Sequence, residues 1–281
     1  MTLRDNTRLK SKLANLLPAS MRPLAYKIYS FLFETPVLFF RGRPKIQLPA
    51  DVIFCEVAYN KFGGYCVPLS AKDRPAVKRI LASRVYEPDT LNFITSNCGD
   101  GDIVHAGTFF GDFLPAISAA CGPQAIVWAF EPNSENFRCA KITADINDLQ
   151  NVNLTHAGLG AERSEQRVQT RDHSGHSLGG ASRIVPKSVA NDCSEDVDIV
   201  AVDDIVPVDR KVSILQLDVE GYEQEALTGS LHTIQRCRPT IILEVSPHSE
   251  LTESEWFKKN LLDLGYRKTG QLHYNQIFQC E

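Results

Sequence analysis

From Asp102 onward, short apolar runs alternate with segments that have the periodicity of amphipathic helices. Residues 112–121, 133–146 and 222–236 form the helical segments. The apolar runs between and around them have the length of strands and read DIVHAG, AIVWAF, NVNLTHA, VSILQLD and TIILEV. Strands that alternate with helices of this length need crossover connections between parallel neighbours. The pattern therefore predicts a mostly parallel sheet of the doubly wound α/β class.

Two shorter parts precede this region, which we take as the main domain over residues 99–281. Residues 51–98 predict a lead-in of hairpin and helices, because VIFCEVAY and YCVPL flank Gly63-Gly64 and Asp73 is a plausible helix cap. Residues 1–50 hold nine Lys and Arg against two Asp and Glu, and their apolar residues recur at helical spacing. We expect a basic amphipathic extension that either packs on its own domain or contacts an anionic membrane surface through residues 1–45.

Composition narrows the classes of function. The eight cysteines show neither CxxC pairs nor metal-ligand spacing, which predicts reduced thiols and no metal site. After residue 50 the chain holds 21 Lys and Arg against 32 Asp and Glu, so we expect no nucleic-acid partner. No apolar stretch approaches the roughly 20 residues that a membrane-spanning helix needs. We expect a cytoplasmic protein whose only membrane association is the surface contact of residues 1–45.

Ligands of open α/β sheets bind beyond the carboxyl ends of the strands. The first strand leads into HAGTFFGDF, in which Gly107 and Gly111 bracket a tight turn; the glycines serve either a ligand or the turn alone. Their GxxxG spacing differs from the GxGxxG of dinucleotide-binding turns. Glu131 follows the second strand, 24 positions after Gly107, close to the separation of about 20 at which an acid binds ribose hydroxyls. Together they indicate an adenosine-containing ligand, with Asn133 as a cap of the next helix.

The fourth strand is followed by three carboxylates, Asp218, Glu220 and Glu223. Acids at the ligand edge of a sheet are costly unless they bind hydroxyls, pair with cations or transfer protons. Asp218 and Glu220 are the stronger candidates, because an acid at position 223 or 225 also favours the first turn of a helix. Glu244, which ends TIILEV, is either a pocket wall or part of an ordinary salt bridge.

The polar loop at residues 171–182 is rich in glycine and carries His173 and His176. Its composition is typical of a mobile cover over a site. The two histidines are either solvated or, if the loop folds inward, alternative proton acceptors to Asp218 and Glu220.

These segments together resemble the FkbM-type S-adenosylmethionine-dependent methyltransferases. The resemblance runs in order from about Tyr86 to Val245, and it rests on HAGTFFGDF, AFEPNSENF, NVNLTHAGLG, SLGGASRI, DIVAVDDI and LDVEGYEQEALTGS followed by RPTIILEV. It implies a seven-stranded Rossmann-like methyltransferase sheet, S-adenosylmethionine as cofactor and O-methylation of a sugar, glycan or natural product. His105 and Phe109 depart from the usual DVGANIG turn of the family, at its aspartate and its asparagine.

The resemblance also implies roles for individual residues. Asp218, Glu220 and Glu223 would face the reaction centre as catalytic residues. The expected cofactor-binding residues are His105, Gly107, Thr108, Gly111, Glu131 and Asn133. Of these, His105 either donates to the carboxylate of the cofactor or is a hydrogen-bonded histidine at a strand end.

Two other functions remain open from the sequence. One is a nicotinamide-dependent oxidoreductase, which the GxxxG spacing and the lack of an obvious Tyr/Lys pair disfavour. The other is a non-catalytic module that docks on membranes or a partner through its basic segment, with the altered turn at His105 and Phe109 no longer binding cofactor. The retained acids Glu131, Asp218 and Glu220 speak against that loss.

Overall fold

The structure, a computed structural model, describes residues 52–186, 193–246 and 248–280. The chain divides into two compact units, Met1–Val52 and Ile53–Glu281. The predicted basic extension lies outside the described residues, and all that follows concerns the second unit. Among the described residues, no helix combines the length and the apolar character needed to cross a bilayer.

The described chain begins with an antiparallel hairpin and two helices. Its strands are β1 (Cys55–Asn60) and β2 (Gly63–Pro68), and its helices are α1 (Pro75–Leu81) and α2 (Pro88–Asn97). The expected cap at Asp73 is wrong, since α1 begins at Pro75 after Arg74 and without a side-chain cap. Proline at the first helical position sets φ in advance and needs no partner for an N–H. Asp73 instead pairs with Lys78, at 3.7 Å between carboxylate and ammonium.

A seven-stranded sheet forms the centre of the second unit. Its strands are β3 (Asp102–Ala106), β4 (Val127–Phe130), β5 (Val152–Thr155), β10 (Val212–Leu217), β11 (Thr240–Glu244), β12 (Tyr266–Leu272) and β13 (Asn275–Cys280). They lie in the order β12-β13-β11-β10-β3-β4-β5. Neighbours are parallel except for β13, which pairs antiparallel with both β11 and β12. The predicted doubly wound, mostly parallel fold is confirmed.

Helices cover both faces of this sheet. They are α3 (Leu114–Ala120), α4 (Ser134–Ile146), α5 (Val202–Ile205), α6 (Glu223–Thr228), α7 (Leu231–Cys237) and α8 (Glu255–Asn260). Neighbouring residues of β3 supply two separate cores, Ile103 on one face and Val104 on the other. Burial on both faces explains why the strands read as continuous apolar runs.

The helix expected over residues 222–236 is two helices, α6 and α7, separated at Gly229. The main chain of Gly160 approaches so closely here that a Cβ at Gly229 would overlap the carbonyl oxygen of Gly160. Gly229 also accepts a hydrogen bond from the N–H of Asp203, at 2.9 Å. Packing against a neighbouring segment therefore interrupts a helix whose local periodicity is continuous.

A second sheet follows β5. It consists of β6 (Gly158–Leu159), β7 (Ser164–Gln169), β8 (Arg183–Val185) and β9 (Ser194–Val200), in the order β6-β9-β7-β8. The sequence predicted only a polar loop in part of this region. Strands β7 and β9 have one solvated face, and their polar residues conceal the alternating pattern.

Candidate functional site

The strand order of the central sheet reverses between β3 and β10, which marks the point where ligands of this architecture bind. Gly107 follows β3, and Asp218 follows β10. Gly107 has a φ of +82°, and a Cβ there would overlap the carbonyl oxygen of Asp218. Glycine is therefore required at position 107 to bring the two strand ends together.

Two cavities lie on either side of this junction. The larger has a volume of about 170 Å³ and reaches His105 and Glu244; the smaller has about 30 Å³ and reaches Glu131. Gly107, Gly180 and Asp218 line both. The two cavities thus share part of their walls, but they are separate spaces within one crevice at the sheet edge.

The division comes from the segment Gly179–Ser182, which lies against Phe109. A Cβ at Gly180 would stand 3.3 Å from the ring of Phe109, so the two are in contact. Ser182 accepts a hydrogen bond from Asn133 Nδ2 at 3.0 Å, and Asn136 Nδ2 donates to the carbonyl of Gly179 at 3.1 Å. We call Gly179–Ser182 the cover segment. The part of the 171–182 loop that approaches the site is this end of it.

Glu131 closes the smaller cavity, and it is 3% exposed. Its carboxylate accepts hydrogen bonds from the N–H groups of Phe109 and Asn133, at 2.7 and 2.9 Å, and from Asn136 Nδ2 at 3.2 Å. Burial raises its pKa to about 8, although these hydrogen bonds act in the opposite direction. In its ionised form this carboxylate has about four acceptor positions, so one remains for a ligand donor, which would itself favour that form.

His105 lines the larger cavity and is 3% exposed. Its Nδ1 donates to the side-chain oxygen of Gln216 on the neighbouring strand, and its ring stacks on Phe113. Burial lowers its pKa to about 4. The ring is therefore neutral, and Nε2 is an acceptor that has no partner among the described residues. In this tautomer His105 accepts from a ligand at Nε2; donation to a carboxylate of the cofactor is not available there.

Five carboxyl groups line the larger cavity: Glu87, Asp112, Asp218, Glu220 and Glu244. Loss of hydration, followed by repulsion from Glu244, raises the pKa of Asp218 well above its ordinary range. Loss of hydration and repulsion from Glu244 also raise the pKa of Glu220, to about 7. Asp218 is thus held protonated, and Glu220 is poised to exchange a proton near neutral pH.

Three of the seven non-glycine residues that have a positive φ in the described part of the chain line the same cavity. Glu87, Phe109 and Glu220 have φ values of 38°, 50° and 52°, in the left-handed region that side chains other than glycine rarely adopt. All three line the larger cavity. Strained residues of this kind persist where the surrounding structure holds them, and they occur preferentially at functional sites.

The other predicted site residues lie outside both cavities. Thr108 is buried, with its hydroxyl donating to the carbonyl of His105 at 3.3 Å. Gly111, at φ +83°, packs against Leu114 and Thr143 and shapes the turn.

Asn133 and Glu223 stabilise neighbouring backbone. Asn133 caps α4 by accepting from the N–H groups of Glu135 and Asn136 at 2.9 and 3.1 Å. Glu223 is buried and accepts from the N–H of Gly221 at 2.8 Å, which fixes the loop that carries Glu220. The structure brings neither side chain into a cavity, and their predicted ligand roles remain untested.

His173 and His176 are exposed and line neither cavity. His176 lies 3.5 Å from the carboxylate of Asp172 within its own turn. Of the two alternatives that the sequence left open, the structure therefore favours solvated histidines over proton acceptors at the site.

Several residues of the larger cavity were not identified from the sequence: Arg74, Glu87, Asp112, Gln216 and Asn275. Two of them had a signal, since Asp112 directly follows the second glycine of the turn and Gln216 interrupts an apolar strand. The other three belong to segments before and after the region of alternating strands and helices. They do not follow a predicted parallel strand, so the rule that ligands bind beyond strand ends could not locate them.

Comparison with known proteins relates this fold to methyltransferases. One similar solved structure is a methyltransferase FkbM from Methylobacillus flagellatus KT, which is 18% identical, has a TM-score of 0.44 and is matched over 64% of this chain and 43% of that chain. Another is a SAM dependent methyltransferase from Aquifex aeolicus, which is 15% identical, has a TM-score of 0.39 and is matched over 74% of this chain and 92% of that chain. The chain spans less than half the length of the Methylobacillus protein. No curated protein sequence matches significantly. The methyltransferase FkbM domain matches residues 98–268, more than half of the sequence, and the chain therefore belongs to the FkbM methyltransferase family.

Proposed function

We propose that the chain is an S-adenosylmethionine-dependent methyltransferase that transfers a methyl group to a hydroxyl of a sugar, glycan or natural product. The observation that carries this proposal is the crevice where β3 and β10 diverge, at which Gly107, Glu131 and Asp218 meet. Membership of the FkbM family supports methyl transfer. The hydroxyl acceptor comes from the resemblance in sequence.

The residues present suit the two ends of this cofactor. The remaining acceptor position of Glu131 suits a ribose hydroxyl in the smaller cavity. The unpartnered Nε2 of His105 suits the ammonium of the methionine end, because a buried acceptor without a donor is costly until a ligand supplies one. Although His105 replaces the aspartate that is usual in the family, position 105 thus still provides a hydrogen-bond acceptor.

The space between these ends is closed by the cover segment. Both cavities lie below the range of about 300–1,000 Å³ that is typical of sites for larger ligands. We infer that Gly179–Ser182 moves away from Phe109 when cofactor binds. The cover segment would then exclude water from the reacting groups when it closes again.

When bound between Glu131 and His105, S-adenosylmethionine would supply an activated methyl group on a cationic sulfonium, whose sulfur would keep the electron pair of the C–S bond. Positioning the acceptor contributes most to rate acceleration, up to about 7–11 kcal/mol. The proton of the acceptor hydroxyl must leave. Glu220, at the mouth of the larger cavity with a pKa of about 7, is the group that takes it.

Calorimetric titration with S-adenosylhomocysteine tests cofactor binding. We expect wild-type protein to bind it and Glu131→Gln to bind at least tenfold more weakly, because glutamine loses the charge-assisted hydrogen bond to ribose. Glu162→Gln, at an exposed position, is the matched control and should leave affinity unchanged. Binding of NADH in place of S-adenosylhomocysteine would identify an oxidoreductase.

Methyl transfer tests the role of Glu220. With methyl-labelled S-adenosylmethionine and a panel of neutral sugars, uronic acids and amino sugars, we expect label to enter a hydroxyl of at least one acceptor. Glu220→Gln should lower kcat about 10²–10⁴-fold, the usual contribution of a general base, and leave S-adenosylhomocysteine affinity unchanged. An unchanged kcat would remove Glu220 from the reaction.

A further inference from the structure

The larger cavity extends along the sheet edge away from the proposed cofactor region. In the strand order, Glu131 follows β4 and Gly107 follows β3, whereas Asp218 follows β10, and Glu244 and Asn275 belong to β11 and β13. Neighbouring strands are about 4.8 Å apart, so β13 lies roughly 14 Å from β3. We call the part of the cavity near β11 and β13 the acidic end.

Asn275 leaves an unused acceptor in the acidic end. The residue is 2% exposed, and its Nδ2 donates to Glu87 Oε2 at 3.0 Å and to Thr90 at 3.4 Å. These bonds fix which way the amide is turned. Its Oδ1 has no partner among the described residues, although Asn275 lines the cavity. A buried, oriented oxygen without a donor indicates that a ligand supplies one.

The same region carries an excess of acids. Glu87, Glu220 and Glu244 surround it together with Asp218, while Arg74 is the single Lys or Arg side chain among the described residues that line the cavity. Asp112, Tyr86 and the neutral His105 complete the titratable groups on its walls. Acceptors therefore outnumber donors, and the cavity favours a ligand that donates hydrogen bonds and carries positive charge.

A metal ion does not suit this arrangement. No group of three or more His, Cys, Asp or Glu side chains in the described part of the chain is placed to hold one. An ammonium group has three donors and tolerates the mixed geometry of a carboxylate and an amide oxygen.

We propose that the acidic end binds an ammonium group of the methyl acceptor and so selects amino sugars or other amine-bearing hydroxyl compounds. This inference rests on the proposed function and names the class of its acceptor. The cation donates to Asn275 Oδ1 and to the carboxylates of Glu87 and Glu244, and the hydroxyl to be methylated then lies toward Glu220.

A bound cation has a measurable consequence for protons. Loss of hydration and repulsion from Glu244 raise the pKa values of Glu87 and Asp218. A positive charge among these carboxyls stabilises their ionised form and lowers those pKa values. Binding of an ammonium ligand should therefore release protons, whereas binding of a neutral sugar should not.

The test compares glucosamine, N-acetylglucosamine and glucose by calorimetry at pH 7, in two buffers of different ionisation enthalpy, with and without S-adenosylhomocysteine. We expect glucosamine to bind at least tenfold more tightly than the two neutral sugars and to release protons. Glu87→Gln and Glu244→Gln should each weaken glucosamine at least tenfold and leave S-adenosylhomocysteine affinity within twofold. Glu250→Gln, at an exposed position, is the matched control.

The other possible outcomes would each contradict the inference. Equal or undetectable binding of the three sugars overturns the inference, and so does displacement of glucosamine by millimolar Mg²⁺, which would indicate a metal site. Loss of S-adenosylhomocysteine affinity in Glu87→Gln and Glu244→Gln would assign the acidic end to the cofactor. Because S-adenosylhomocysteine binding is measured separately, failure of the methyltransferase proposal would be seen in that titration alone. Circular dichroism of each variant verifies folding.

Discussion

At the scale of single residues, Asp112 shows how burial makes stability depend on pH. Its side chain is 9% exposed, and loss of hydration raises its pKa from 3.8 to about 7, with repulsion from Glu87 acting in the same direction. The unfolded chain keeps a pKa near the ordinary value of about 3.9. The folded protein therefore binds the proton more tightly, and this contribution to stability is complete below about pH 4 and is lost as the pH rises through about 7.

We predict that Asp112→Asn removes the loss of stability that Asp112 causes as the pH rises. The excess of the variant over wild type in free energy of unfolding should be about 1–3 kcal/mol larger at pH 8 than at pH 4. The pKa values of Glu131 and Glu220 are also raised, so part of the dependence of stability on pH remains in both wild type and variant. Urea unfolding at the two pH values measures this, with exposed Asp209→Asn as control. A variant that is less stable than wild type at pH 8 would show that the folded protein stabilises the ionised carboxylate of Asp112, and this would contradict the prediction.

At the scale of elements, the cover segment is held by its ties to the start of α4. The hydroxyl of Ser182 accepts from Asn133 at 3.0 Å and donates to the carbonyl of Gly179 at 2.7 Å. Each such bond contributes about 0.5–1.5 kcal/mol to the closed arrangement. If cofactor binds only when the segment opens, these bonds reduce its apparent affinity, because the competent state is less populated.

Ser182→Ala should therefore favour the open state. We predict that S-adenosylhomocysteine binds the variant roughly 2–12-fold more tightly, and that the gain is in the association rate. This range corresponds to loss of the hydrogen bond from Asn133, because the bond to Gly179 lies within the segment itself. Stopped-flow fluorescence measures the rate. Ser174→Ala, in the exposed turn of the same loop, should behave as wild type. Slower association in Ser182→Ala would mean that the closed segment is the binding-competent one.

The elements also show what the sequence could and could not predict. All five predicted strands of the central sheet are present, and four of them leave a local apolar signal because they are buried on both faces; the exception is the edge strand β5, in which no residue is fully buried. Gly107, Glu131 and Asp218 were located because they follow those strands. Asn275 and Glu87 were not, since they reach the cavity from an antiparallel strand and from the start of a helix. The break at Gly229 likewise depends on a contact with Gly160, which is distant in the sequence.

At the scale of the whole molecule, charge is divided between two parts of the chain. The first 50 residues carry nine Lys and Arg against two Asp and Glu, whereas the remainder is acidic. Basic residues beside an apolar stripe bind anionic membranes through charge and apolar burial together, at about 1 kcal/mol for each Lys or Arg near the surface. We propose that residues 1–45 bring the enzyme to an anionic membrane surface.

Co-sedimentation with lipid vesicles tests this proposal. The full chain should pellet with vesicles that contain phosphatidylserine and should be released as salt rises from about 0.05 to 0.5 M, because the Debye length falls well below 10 Å. A chain that lacks residues 1–45 should stay in the supernatant and bind S-adenosylhomocysteine as the full chain does. Vesicles of phosphatidylcholine alone are the control for charge. Equal pelleting of the two chains would remove membrane contact from the role of this segment and favour its packing on the protein's own domain.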